Sequence, residues 1–320
     1  RVVEVDRGVV PSQRLGTGEL AFLASDVPAR GMASFRVEAG GGSGPEMASV
    51  DPPPSEISRD GPVLLESSSY SLRVDPSTGT IRSLVHRSSG RDLVFGEEGG
   101  LNQYLYVPGR DPEEAVTSGA AAVRWKEAGP LVWSLEVTAP GPGLRKPLVS
   151  EIRVVEGLDR VDIINSMAKE WILNPEAVLF RFPFALEAPQ VRIDAPFGAF
   201  RPELDQLPGA SKNYFSVQRW VDLSDSDLGV TIATVDAPLI QLGEVRTDAI
   251  VTGWMEEVEP SSTLFSYVMN NYWETNYRAA QDDEVRFRYS MVAHGPFQEE
   301  GAHRFGLEHA RPLVARNLRR

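Results

Sequence analysis

Two-residue alternation of apolar and polar side chains, broken by Gly and Pro, recurs along most of this chain and confines it to antiparallel β architecture. Tyr70, Leu72 and Val74 alternate with Ser71 and Arg73, and the turn Asp75-Pro76-Ser77-Thr78-Gly79 leads into a run from Thr80 to His86. That is a hairpin, closed by the Ser88-Ser89-Gly90 turn. Leu131, Trp133, Leu135 and Val137 alternate, as do Ile152 with Val154 and, after a Gly157 turn, Val161 with Ile163. Phe180, Phe182 and Phe184 fall on one strand face; Val285, Phe287 and Tyr289 alternate with Arg286 and Arg288. Many short strands with Gly/Pro turns and few helical periods predict an all-β antiparallel sandwich. One short helix is predicted, Ala302 to His309, with Pro312 ending it. There is no repeat of fixed period, and 24 Pro with 28 Gly predict long irregular connections.

Three stretches follow from the pattern. Residues 1–38 read as a small β unit, with β-type runs at Val2-Val3-Glu4-Val5 and Met32 to Val37 separated by Gly8, Pro11, Gly16 and Gly18. Residues 39–60 hold Gly40-Gly41-Gly42-Ser43-Gly44-Pro45 and Pro52-Pro53-Pro54, the composition of a linker or exposed loop. Residues 61–320 hold the large antiparallel sandwich. A length of 320 residues fits roughly two domains and buries about three quarters of the unfolded surface.

A net charge of −13 argues against nucleic acid and against an anionic membrane surface as partners. With no cysteine, disulfides and thiolate metal sites are excluded. No apolar run approaches a membrane span, and the start has no signal-peptide pattern. The compartment stays open between cytoplasm and periplasm. The chain opens at Arg1 without Met, which predicts a piece of a longer protein.

The chemically most pointed stretch is Val268-Met269-Asn270-Asn271-Tyr272-Trp273-Glu274-Thr275-Asn276-Tyr277. Aromatic rings stack on the C–H faces of a sugar, and amides meet its hydroxyls. The same residues also suit a strand, and a buried Asn braces a turn. Elsewhere the chemistry is sparse. The four histidines, His86, His294, His303 and His309, have no i, i+4 partners and read as surface or locally hydrogen-bonded. Asp222, Asp225 and Asp227 resemble part of a calcium loop without its closing Glu, and read as a solvated turn before a strand at Val230. Nucleophile-elbow and phosphate-loop patterns are absent. Glu203, Asp205 and Glu274 are the acids set among aromatic or amide neighbours.

Several segments, in order, resemble the C-terminal β-rich half of glycoside hydrolase family 38, the α-mannosidases. They are Val10-Pro11-Ser12-Gln13, Gly18 to Phe22, Val27 to Gly31, Tyr70 to Val74, Gly79 to Leu84 and Leu101 to Tyr106. Val268 to Tyr277, Gln281 and Phe287-Arg288-Tyr289 continue the set, which spans nearly the whole chain. The resemblance implies a galactose-mutarotase-like supersandwich preceded by a small β unit. It also implies a retaining α-mannosidase as parent, with an Asp nucleophile and a zinc ion held by His and Asp in an N-terminal catalytic domain. None of those residues is carried onto this chain, so neither catalytic residue nor metal ligand is assigned, and no cofactor is expected here. The expected role is an accessory region supporting that domain and contacting mannose-containing carbohydrate. Arg219, Trp220, Asn270, Asn271, Trp273 and Asn276 are the candidates for facing carbohydrate or the domain interface. The alternative is an independent, non-catalytic carbohydrate-binding sandwich. A mutarotase-type epimerase would need His86 or His294 across a concave face from Glu274, with no motif behind it.

Overall fold

A computed structural model describes residues 1–39, 57, 61–96, 99–196, 198–247, 253–259, 261–272 and 279–317. Residues 1–39 hold β1 (Val2–Glu4), β2 (Gly8–Val10), β3 (Ser12–Arg14), β4 (Leu20–Phe22) and β5 (Phe35–Val37). These form a three-stranded sheet, β2-β1-β5, and a hairpin, β3-β4. The stretch expected as a linker lies, apart from residues 39 and 57, outside the described residues.

Next come β6 (Val63–Glu66), β7 (Tyr70–Val74), β8 (Ile81–His86) and β9 (Arg91–Asp92), a four-stranded meander. The strands that follow are β10 (Gln103–Pro108), β11 (Val116–Thr117), β12 (Ala122–Ala128), β13 (Val132–Ala139), β14 (Leu148–Val155) and β15 (Val161–Ala168). Then come β16 (Glu176–Pro183), β17 (Gln190–Ala195), β18 (Gly198–Phe200), β19 (Phe215–Ser216) and β20 (Trp220–Ser224). The last are β21 (Gly229–Thr234), β22 (Leu239–Leu242), β23 (Thr263–Asn270) and β24 (Glu284–His294). They build a six-stranded sheet, β11-β10-β16-β23-β22-β19, and a nine-stranded sheet, β12-β13-β14-β15-β24-β21-β20-β17-β18. The fold is an all-β supersandwich.

The core lies between the two large sheets. Alternation sends Val178, Phe180 and Phe182 of β16 to the inner face, all fully buried, and Phe184 continues that row in a bridge to Val94. Tyr289 of β24 meets them from the other sheet, its ring 5.1 Å from Phe182 and its hydroxyl 2.8 Å from Ser266. The other face of the six-stranded sheet is buried as well. Leu105, Val107, Ala177, Leu179, Phe265 and Tyr267 form a second apolar cluster there.

Buried side chains tie the small N-terminal hairpin to the sandwich: Glu127 of β12 accepts from Gly16 N at 2.9 Å, and Gln13 joins in as well. Gln13 Oε1 accepts from the backbone N–H groups of Leu131 and Val132 at 3.0 and 2.7 Å. The predicted helix exists and is longer than expected, Glu299–Ala310. Glu299 and Glu300 complement the helix dipole in its first turn, and the helix stops at Arg311, before Pro312.

Candidate functional site

The chain passes between the two large sheets twice on one rim. The 169–175 connection leaves β15 of the nine-stranded sheet and enters β16 of the six-stranded sheet, and the 271–283 connection returns from β23 to β24. Because β15 pairs with β24 and β16 with β23, the two crossovers start and end side by side. Between them lies a cavity of about 200 Å³ lined by Lys169, Glu176, Val178, Met269, Asn270, Asn271, Ala280, Gln281 and Asp283 among others.

Asn271 ties the crossovers together. Its Oδ1 accepts from Glu176 N at 2.6 Å, and its Nδ2 donates to Asn174 O at 2.7 Å and is shared with Ile172 O and Ala279 O at 3.2 and 3.3 Å. Backbone bonds from Asn271 N to Glu176 O and from Lys169 N to Asp283 O add to this tie. The neighbouring turn packs close as well. Gly143 accepts from Glu170 N through its carbonyl, has φ of 74°, and sits where a Cβ would lie 2.5 Å from the Tyr106 ring. Only glycine fits that conformation and approach.

At the back of the cavity stands a buried ion pair. Lys169 Nζ lies 2.6 Å from Glu176 Oε1, with the two side chains 2% and 5% exposed. Lys169 also donates to Glu170 O at 3.0 Å. Glu176 Oε2 is buried and, among the described residues, within hydrogen-bond distance of no well-aligned partner. Burial pushes the nearby Tyr106 hydroxyl above its ordinary range; the Glu176 carboxylate beside it, through hydrogen bonding and charge, and the negative Glu170 add to that. The cavity floor is apolar, built from buried Ala177, Val178, Met269 and Ala280, while exposed Asn270, Gln281 and Asp283 place its mouth at the surface. On the 169–175 crossover, Trp171 and Leu173 stand 52% and 61% exposed.

The sequence candidates divide between two places. Asn270 and Asn271 line this cavity; Trp273, Glu274 and Asn276 lie outside the described residues. Trp220 opens β20 of the nine-stranded sheet, where the C-terminal helix covers it, and Arg219 lies in the bend just before it. Trp220 is fully buried, and a Cβ on Gly306 of that helix would come within 2.6 Å of its ring. Arg219 lies 3.4 Å from His303 of the helix and 4.0 Å from buried Asp194. Burial raises the Asp194 carboxyl, and Arg219 and His303 offset that only in part. Glu203 and Asp205 hold loops rather than a ligand: Glu203 accepts from Val258 N at 2.7 Å, and Asp205 binds Arg201 bidentately.

One reading is corrected here. Asp222 is not in a solvated turn; it is a fully buried residue of β20, facing His294 of β24. It accepts from Thr231 at 2.7 Å, Ser224 at 2.8 Å and His294 Nε2 at 2.7 Å, and His294 Nδ1 lies 2.8 Å from Gly295 O. Both ring nitrogens face acceptors, which the doubly protonated imidazolium satisfies. Burial opposes that charge, and Arg192 adds to the opposition. Asp222 and the Gly295 carbonyl outweigh both and hold His294 above its ordinary value. The His294 charge therefore stabilises the fold fully below the unfolded value of about 6.5 and ceases to as pH rises through the higher folded value. We expect the urea-unfolding midpoint of the wild type to fall relative to His294→Gln over that interval. A difference that stays flat or grows with pH would contradict the pairing. The turn reading holds for Asp225 and Asp227, where Asp225 Oδ1 accepts from Asp227 N and Leu228 N.

The Lys169–Glu176 and Asp222–His294 pairs escaped sequence reasoning. Lys169 and Glu176 flank apolar strands like ordinary strand ends, and Asp222 and His294 are 72 residues apart. Among the described residues no group of three or more His, Cys, Asp or Glu is placed to hold a metal ion.

The family model described as glycosyl hydrolases family 38 C-terminal domain matches residues 65–237, more than half of the chain. Among solved structures, a glycosyl hydrolase family 38 protein from Enterococcus faecalis aligns with a TM-score of 0.64 at 12% identity, over 97% of this chain and 40% of its own. An α-mannosidase from Enterococcus faecalis V583 aligns with a TM-score of 0.59 at 13% identity, over 80% of this chain and 32% of its own. A galactose mutarotase-like protein from Lactobacillus casei aligns with a TM-score of 0.44 at 12% identity, over 73% of this chain and all of its own. No curated protein sequence matches the chain. The chain spans two fifths or less of the two Enterococcus structures.

Proposed function

The chain belongs to the glycosyl hydrolase family 38 C-terminal domain family, and from that premise we propose that it is the accessory β region of an α-mannosidase-type glycosidase. In this reading it supports a zinc-bearing catalytic part outside residues 1–320 and turns the crossover rim toward that part and its mannose-containing carbohydrate. The observation that carries the reading is the match to the C-terminal domain model together with the two-fifths share of the family 38 structure. Two features of the rim fit it. Trp171 and Leu173 project from the 169–175 crossover, and large exposed apolar side chains grouped on one short segment suit a contact with another body. This reading places the zinc chemistry in that part outside residues 1–320.

The test compares two purified proteins on an aryl α-mannoside. The full-length parent is expected to release the aryl group, to stop on chelation and to resume on adding zinc. Residues 1–320 alone are expected to show no turnover above buffer. Turnover by the chain alone, or a metal-independent parent, would overturn the proposal.

A further inference from the structure

Two exposed patches of opposite charge, each with large apolar side chains, lie toward opposite edges of the nine-stranded sheet. The first is a lobe that follows the edge strand β18. The 201–214 and 253–259 loops are knitted together there. Lys212 N donates to Met255 O at 3.1 Å, and Asn213 Oδ1 accepts from Met255 N at 3.0 Å. Asn213 Nδ2 donates to Gly253 O at 2.9 Å, and Glu203 accepts from Val258 N. Leu204, Leu207 and Trp254 of this lobe are each more than half exposed. Glu256, Glu257 and Glu259 are exposed close to Trp254 in the chain, while the lobe's cations, Arg201 and Lys212, are engaged by Asp205 and Glu203.

The second patch is the segment that leaves the C-terminal helix. That helix crosses the sheet. Arg192 of β17 stands 4.2 Å over the Phe297 ring just ahead of it, and His309 near its end feels the charges of Arg160 and Asp162 at the start of β15. Residues 311–317 therefore emerge on the β15 side, away from the β18 edge that leads to the lobe. They are exposed throughout, Leu313 and Val314 again by more than half. From Arg311 to Arg320 the chain carries four arginines and no acid, in a protein of net charge −13.

The patches match in kind. A segment of arginines and aliphatic side chains fits an apolar surface flanked by carboxylates, and a Trp ring takes a guanidinium on its face as well as an aliphatic group. Single exposed apolar residues are ordinary; grouped ones, rimmed by charge, mark contact surfaces. Within one chain the two patches stay apart, since Leu313, Val314, Leu204 and Trp254 are all exposed. A second copy brings them together.

We infer that residues 311–317 of one copy dock on the 201–214 and 253–259 lobe of a second copy. Leu313 and Val314 meet its apolar side chains, and Arg311 and Arg316 meet Glu256, Glu257 and Glu259. Different surfaces meet, so the contact is heterologous and builds a ring or a chain of copies. The 253–259 loop precedes β23 and the crossover rim follows it, so this docking goes beyond the accessory reading and does not use the rim.

The test is sedimentation velocity on the purified chain and on two variants altered only at exposed positions, where folding is expected to survive. Trp254→Lys removes the ring and repels the arginines. Arg311→Glu with Arg316→Glu reverses the charge of the segment. The wild-type chain is expected to associate as concentration rises, and to lose at least about tenfold in association constant between about 50 and about 500 mM salt. Each variant alone is expected to sediment as a monomer. Mixed, the two are expected to form one-to-one pairs, because each keeps the half that the other lacks. A monomeric wild type, association indifferent to salt, undiminished association in either variant, or a mixture that stays monomeric would overturn the inference. The first of these is the result expected if the two patches serve other parts of the parent instead.

Discussion

Lys169→Ala is expected to lower the unfolding free energy by about 3–5 kcal/mol, read from urea denaturation at neutral pH. The size comes from what the substitution leaves behind. The pair is only 2% and 5% exposed, so removing the ammonium strands the Glu176 carboxylate in a site that water barely reaches. The variant would leave Glu176 Oε1 without its lysine. The control is the double replacement Lys169→Met with Glu176→Leu. With neither charge present the desolvation penalty disappears, so the double variant is expected to recover most of the loss. A single-variant loss below about 1 kcal/mol would show the pair to behave like a solvated surface bridge.

Phe182→Ala is expected to destabilise the chain by about 3–5 kcal/mol, with the urea slope unchanged. Phe182 is fully buried on the inner face of β16, between Leu264 of β23 in its own sheet and Tyr289 of β24 in the facing sheet. Neither neighbour is free to collapse into the space. Tyr289 is held at its hydroxyl by Ser266, and Leu264 is fixed in the β16–β23 ladder. A rigid surround retains the cavity, which places the cost at the upper part of the usual range. Leu64→Ala, on the solvent side of β6 with 46% exposure, is the contrast and is expected to change stability by under about 0.5 kcal/mol. Similar losses at the two positions would contradict the placement of the core.

What was legible in the sequence was whatever burial imposes locally. Tyr70, Leu72 and Val74 alternate because one face of β7 meets the core, and Phe180 to Phe184 announce the inner face of β16 in the same way. The two readings of the asparagine pair were also available. A turn brace describes Asn271, whose amide is spent on backbone groups, while Asn270 stands at an open mouth. Illegible was everything that depends on which strands become neighbours. Asp222 sits among acids and a glycine and looks like a turn, yet β20 lies beside β21, and β21 beside β24, which brings His294 to it. Trp220 reads as a ring for carbohydrate or a domain interface, and in the fold the helix beginning at Glu299 covers it. Lys169 and Glu176 are seven positions apart but end strands of different sheets, and no local pattern marks them as a pair.

The tie made by Asn271 is blind to side-chain identity. Its partners at Glu176, Ile172, Asn174 and Ala279 are all backbone groups. Such a frame holds whatever residues its neighbours carry, so the mouth positions at Asn270, Gln281 and Asp283 are free to be rewritten one at a time while the rim keeps its shape. The shape of this rim is thereby uncoupled from the chemistry of its surface.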